Sequence, residues 1–169
     1  MLKKIAFTIM AAMLLFGAEN THAQGPQGKK LGFGIILGDP TGGTLKYWMN
    51  NQNSLNFSIG ASYFGSPRIG ADYVWHFNAF DTRFIRLYAG PGVVLGFGEG
   101  DGIIYEVKKD KFFYREDKGA GLAVRGIFGV NFNLAEAPMD IFFELGPLIG
   151  LAPEFGSAFD AAFGFRFYP

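Results

Sequence analysis

The sequence predicts an all-β chain: an eight-stranded antiparallel up-and-down β-barrel that crosses a membrane with its strands. Three observations lead there. Large apolar residues alternate with glycine, alanine and polar residues along nearly the whole chain after residue 30, the period of two that marks strands with unlike faces. The chain carries 20 Phe and 25 Gly, a pairing of bulky rings and bare backbone that suits a sheet meeting two different surroundings. The first residues have the layout of an export signal, with Lys3 and Lys4 ahead of the apolar run 5–18 and Thr21-His22-Ala23 as a small-x-small cleavage site.

Residues 1–23 are therefore set aside as a cleaved signal peptide, and 24–30 as a short polar leader; residues 31–169 form the barrel domain. The full chain balances 15 basic against 15 acidic residues. Losing Lys3, Lys4 and Glu19 leaves about −1, so no basic surface suggests nucleic acid. There is no cysteine, hence no disulfide to stabilise an exported domain. No apolar run of about 18 residues follows the signal, so no helix is expected to span a bilayer.

Turn residues punctuate eight strands, expected at about 31–38, 43–49, 54–64, 68–78, 84–98, 119–133, 140–151 and 157–168. One face carries Leu31, Phe33, Ile35 and Leu37 on the first strand, Phe57, Ile59 and Tyr63 on the third, and Phe159, Phe163, Phe165 and Phe167 on the last. That face holds no charge. The other face holds glycines together with Lys46, Arg68, Asp72, His76, Arg86, Arg125, Glu144, Asp160 and Arg166.

Volume decides which face is outside. An eight-stranded interior is only just wide enough to be filled by side chains. Roughly thirty large residues cannot fit there, whereas glycines and a few charges can. The apolar face then points outward, which lipid requires and water penalises. Only a closed barrel pairs every backbone group of a strand in a bilayer. The alternative is a soluble sandwich of two sheets around one larger core. Connection lengths agree with a barrel. The longest connection, 99–118, joins strands five and six and falls on the side where outer-membrane barrels keep long loops, while the even-numbered connections are short. Pro91 and Pro147 interrupt strands on the outward face. Proline removes a ladder hydrogen bond, so each is expected to mark a bulge or an early strand end.

The inward charges are expected to form a salt-bridge network that plugs the lumen, with a narrow positive-biased pore as the alternative. His76 is the only histidine after the signal. It has no matched ligand spacing around it, so neither a metal nor a cofactor is expected. A hydrolase would need serine, histidine and carboxylate to converge at the outer rim. Ser62, Ser66 and Ser157 lie nearest that rim and His76 at the far end of its strand, so catalysis is not expected. In the 99–118 connection Tyr105, Phe112, Phe113 and Tyr114 interleave with charges of both signs. They are candidates for an extracellular protein contact through a sheet edge.

With these residues laid out, the chain resembles the small eight-stranded outer-membrane barrels of the OmpA and OmpX type over nearly all of 31–168. The carrying features are the export signal, Leu87-Tyr88-Ala89-Gly90-Pro91-Gly92-Val93 and the aromatic last strand. The opening Gly34-Ile35-Ile36-Leu37-Gly38-Asp39-Pro40-Thr41-Gly42 with Lys46-Tyr47-Trp48 is similar to a poorly characterised branch of them. The chain departs in ending on Pro169 rather than an aromatic, and a cell-wall tether through a further domain is not expected. The resemblance implies an outer-membrane location and a structural or surface-interaction role. A passive pore and a lipid-modifying enzyme stand behind that reading. Such a location implies as partners the lipid bilayer, lipopolysaccharide and the barrel-assembly machinery during insertion. A monomer is expected.

Overall fold

A computed structural model describes residues 25–80, 82, 84–100, 119–153 and 155–169. Eight strands follow one another: β1 (Leu31–Gly38), β2 (Thr41–Trp48), β3 (Asn53–Ser62), β4 (Gly65–Phe77), β5 (Ile85–Phe97), β6 (Ala120–Asn133), β7 (Met139–Ala152) and β8 (Gly156–Phe167). Each pairs antiparallel with the next, and β1 pairs with β8 from Phe33↔Phe167 to Gly38↔Ala162, which closes the barrel. Closure removes every free edge, so the strands' backbone groups find partners within the wall.

The odd-numbered connections lie at one end, here called the loop end, and include the 98–119 segment. The even-numbered connections and both described chain termini lie at the other, the turn end. Tyr105, Phe112, Phe113 and Tyr114 fall outside the described residues.

Side chains sort by face as the alternation predicts, and the sense is inverted relative to a water-soluble core. Phe163 is 54 % exposed and Ile59 55 %, while Arg68 and Lys46 are 0 % exposed. Many of the strand glycines belong to the crowded inner face. A Cβ at Gly92 would fall on the Asp72 carboxylate, and one at Gly129 on the Tyr88 phenol ring. Bare backbone at those positions makes room for large polar groups in a narrow lumen.

Two expectations are corrected. Tyr63 does not face outward. The register of β3 against β4 shifts between Gly60 and Ser62, and an extra residue in one strand reverses the faces beyond it. Tyr63 is thereby buried inside, its hydroxyl donating to Asp160 Oδ1 at 2.6 Å. Pro91 and Pro147 make neither a bulge nor a strand end. Pairing of β4 with β5 stops at Asp72↔Gly92 and resumes at Trp75↔Ala89 in the same register. Pairing of β6 with β7 stops at Arg125↔Leu148 and resumes at Phe128↔Leu145, again unshifted. Each proline lacks the N–H that its neighbour's carbonyl would accept, so the ladder skips a step while the strand runs on. On the other side Pro91↔Gly126 and Pro147↔Phe159 remain paired.

Candidate functional site

The lumen holds two groups of polar side chains. The group toward the loop end begins at the β1–β2 turn. Asp39, fully buried there, accepts from Arg68 Nη1 at 3.0 Å, from the Ser62 hydroxyl and, at 3.2 Å, from the Tyr63 backbone N–H. Burial pushes its carboxyl up to about 6, against the opposing pull of Arg68 and Ser62. From Arg68 the network crosses the barrel. Its Nη2 pairs with Asp160, which also lies 3.3 Å from Arg125 Nη1. Arg125 clamps Asp72 through two parallel bonds, Nε to Oδ1 at 2.7 Å and Nη2 to Oδ2 at 2.5 Å, the fork geometry that makes arginine–carboxylate pairs strong. Its Nη2 is also 3.6 Å from Glu144 Oε1, and Glu144 Oε2 accepts from Tyr88 at 2.9 Å. Two guanidinium groups thus sit among four carboxylates supplied by the β1–β2 turn, β4, β7 and β8. The small space between Arg125, Glu144, Asp160 and Asp39 has no room for a water-sized sphere.

The group toward the turn end is different. Lys46 donates to Asn131 Oδ1 at 3.2 Å and sits over the rings of Trp48 and Tyr88, 4.5 and 5.1 Å from their centroids. Among the described residues no carboxylate forms an ion pair with it. Cation–π contact takes that place. Arg166 lies 3.7 Å from Asp140 Oδ1 and stacks over Phe142 at 3.7 Å. Asp140 in turn accepts from the Tyr168 hydroxyl at 2.5 Å. Trp48 stacks on His76, with ring centroids 4.2 Å apart, and its Nε1 donates to the Tyr168 hydroxyl at 3.4 Å. Arg86 Nη1 donates to the Asn51 carbonyl at 3.2 Å. The leader closes over this group: a single 3-10 turn, Pro26–Gly28, follows Gly25, whose backbone packs on the Trp48 ring. Beside it a recess of about 320 Å³ opens to solvent between the leader, Phe84, Arg86 and Asn133.

All nine lumen residues read from the sequence are in the barrel interior; eight are buried and Arg86 is half-buried. Alternation missed three members. Asp39 lies in a turn, Asp140 is the second residue of β7, and Tyr63 sits on the face opposite to the one alternation predicts. It also missed the partner of His76. Ser54 Oγ lies 3.1 Å from His76 Nε2, and the same hydroxyl donates to Asn56 Oδ1 at 3.2 Å. The strand register brings these two residues together, since Ser54 pairs with Val74, two positions from His76. A nucleophilic serine needs a base whose second nitrogen is held by an acceptor and a carbonyl group within reach. Here, among the described residues, His76 Nδ1 has no hydrogen-bond partner, and Ser54 is fully buried. Among the described residues no three or more His, Asp or Glu side chains are grouped to hold a metal ion. Comparison with protein-family models, with curated proteins and with solved structures finds no match.

Proposed function

We propose that this chain is a bacterial outer-membrane barrel whose lumen is closed by side chains, and that it serves as a structural or surface-interaction protein rather than a conduit. The observation that carries the reading is the inside-out distribution of polarity. A continuous belt of Phe, Leu, Ile and Val surrounds the wall, with Phe33, Phe128, Phe143 and Phe163 about half exposed, while Arg68, Lys46, Asp39 and Asp140 are fully buried. A belt of that extent in water would far exceed the apolar patches monomeric proteins expose. In hydrocarbon it is the required surface. The closed reading is supported by the Arg68–Asp160–Arg125–Asp72 chain, which runs across the lumen, and by the lack of room for a water-sized sphere in the space beside it among Asp39, Arg125, Glu144 and Asp160. In this setting the 99–118 connection is the part offered to an extracellular partner. The leader and the short turns face the periplasm.

Two measurements test this. The mature protein, folded into lipid vesicles, should migrate faster on a detergent gel before boiling than after, because a closed barrel stays compact until heated. Dispersal in plain buffer with no such shift would overturn the membrane reading. Reconstituted in a planar bilayer, the same protein should give no steady stepwise current. Reproducible steps of uniform size would overturn the closed lumen.

A further inference from the structure

The two prolines that interrupt the ladder stand in one line across the outside of the wall. Leu55 pairs with Tyr73, Pro91 with Gly126, and Pro147 with Phe159. Across the two skipped steps Tyr73 stands opposite Pro91 and Gly126 opposite Pro147. The Tyr73 ring thus flanks a floor of proline, glycine and proline near the middle of β5, β6 and β7. Alongside run Ala71, Val93, Val124 and Ile149. Together these residues form a recess of about 590 Å³ in the otherwise ridged belt.

The recess is apolar and has a fixed shape. A proline ring has no rotamers to reorganise and glycine has no side chain, so filling the floor costs no side-chain ordering. The polar residues nearby are committed elsewhere. Asp72 and Arg125 lie behind the wall, clamped to each other in the lumen. The Tyr73 hydroxyl accepts from Asn53 Nδ2 at 2.9 Å. The site therefore offers mainly shape and dispersion contact to hydrocarbon, with the Tyr73 hydroxyl engaged by Asn53. A second copy whose two-fold axis passed through the recess would set this concave face against itself, leaving a void where contact is needed.

We infer that the recess holds one acyl chain of a membrane lipid, retained longer than the lipids that brush past the rest of the belt. The inference rests on the membrane reading above. Its occupant is specified by the chain, not by the headgroup.

Gly126→Leu tests it. A Cβ at Gly126 meets nothing nearer than Pro147 Cγ at 3.7 Å, so the leucine points into the recess without displacing backbone. Gly43→Leu is the control: it is another glycine on the outer face, where the nearest atom to a new Cβ is Ile59 Cγ2 at 3.8 Å. Each protein is folded into dioleoylphosphatidylcholine vesicles, its heat-shift on a gel is checked, and it is extracted into mild detergent for native mass spectrometry. The expected result is one retained phospholipid on the wild-type and Gly43→Leu barrels, and at least a tenfold lower occupancy on Gly126→Leu. Dioleoylphosphatidylglycerol vesicles should give the same retention. The inference fails if a barrel that shows the heat-shift retains no lipid, or if Gly126→Leu retains it equally. It fails also if retention follows the headgroup, or if a dimer that Gly126→Leu abolishes appears in place of the lipid. Absence of the heat-shift itself would instead count against the membrane reading.

Discussion

The loop-end and turn-end halves of the lumen solve the same problem in opposite ways. Each places charge inside a narrow barrel. The loop-end half does so with ion pairs: Arg68 and Arg125 are each held by carboxylates at 3.6 Å or less. Among the described residues the turn-end half has three cations, Lys46, Arg86 and Arg166, and one carboxylate, Asp140. It relies on rings instead, with Lys46 over Trp48 and Tyr88, Arg86 over Trp48 and Arg166 over Phe142. A buried ion pair is worth little against a well-packed apolar replacement, but breaking one by removing a single partner is costly. A cation held by ring faces leaves no orphaned charge when it is removed. The two halves should therefore respond very differently to truncation.

The sharpest contrast is Arg125→Met against Lys46→Met. The first leaves Asp72, Glu144 and Asp160 crowded around a vacated site, and should cost about 3–5 kcal/mol of unfolding free energy. Urea-induced unfolding of the vesicle-inserted barrel, followed by tryptophan fluorescence, reads the effect. The second removes one hydrogen bond to Asn131 and two ring contacts but also the cost of burying an ammonium group, and should cost about 1–2 kcal/mol in the same assay. Equal losses in the two variants would erase the distinction between ion-paired and ring-packed halves. The smallest effect concerns Asp39, at the loop-end rim. Its carboxyl is raised to about 6 in the fold, above its value in an unfolded chain, so between those limits the folded state binds the extra proton. This group's contribution to stability therefore rises as the pH is lowered from 7 toward 5. The Asp39→Asn variant should show a correspondingly smaller gain over that window. If the two proteins titrate in parallel, Asp39 is not the group responsible.

Why the halves differ was only partly legible in the sequence. Alternation placed Lys46, Arg68, Asp72, Arg125, Glu144, Asp160 and Arg166 on one face, because a period of two survives in any extended strand. It could not say which of them meet, since that depends on register between strands far apart in sequence. Asp39 was hidden because aspartate before proline is an ordinary turn residue, and nothing local reveals that the turn folds over the lumen. Tyr63 lies on the other face from the one alternation predicts because a shift between Gly60 and Ser62 inverts the pattern, and Gly60 fits an unbroken inward-facing series too well to mark it. The prolines were read correctly as ladder breakers. The sequence-based expectation erred on the remedy, because a strand tolerates a missing donor on one side when its other side stays paired. The Ser54–His76 contact needed the β3–β4 register before it could be seen at all.

The last strand has a particular part in this wiring. Asp160 links Arg68 of β4 to Arg125 of β6, Arg166 reaches Asp140, and Tyr168 just beyond the strand ties Asp140 to Trp48. A seven-stranded intermediate would hold two guanidinium groups short of a shared counter-ion and Trp48 without its phenol. Docking of the final segment thus seals the seam and wires Arg68 to Arg125 in a single event, and because it carries in Asp160 and Arg166 together it leaves the interior charge balance unchanged.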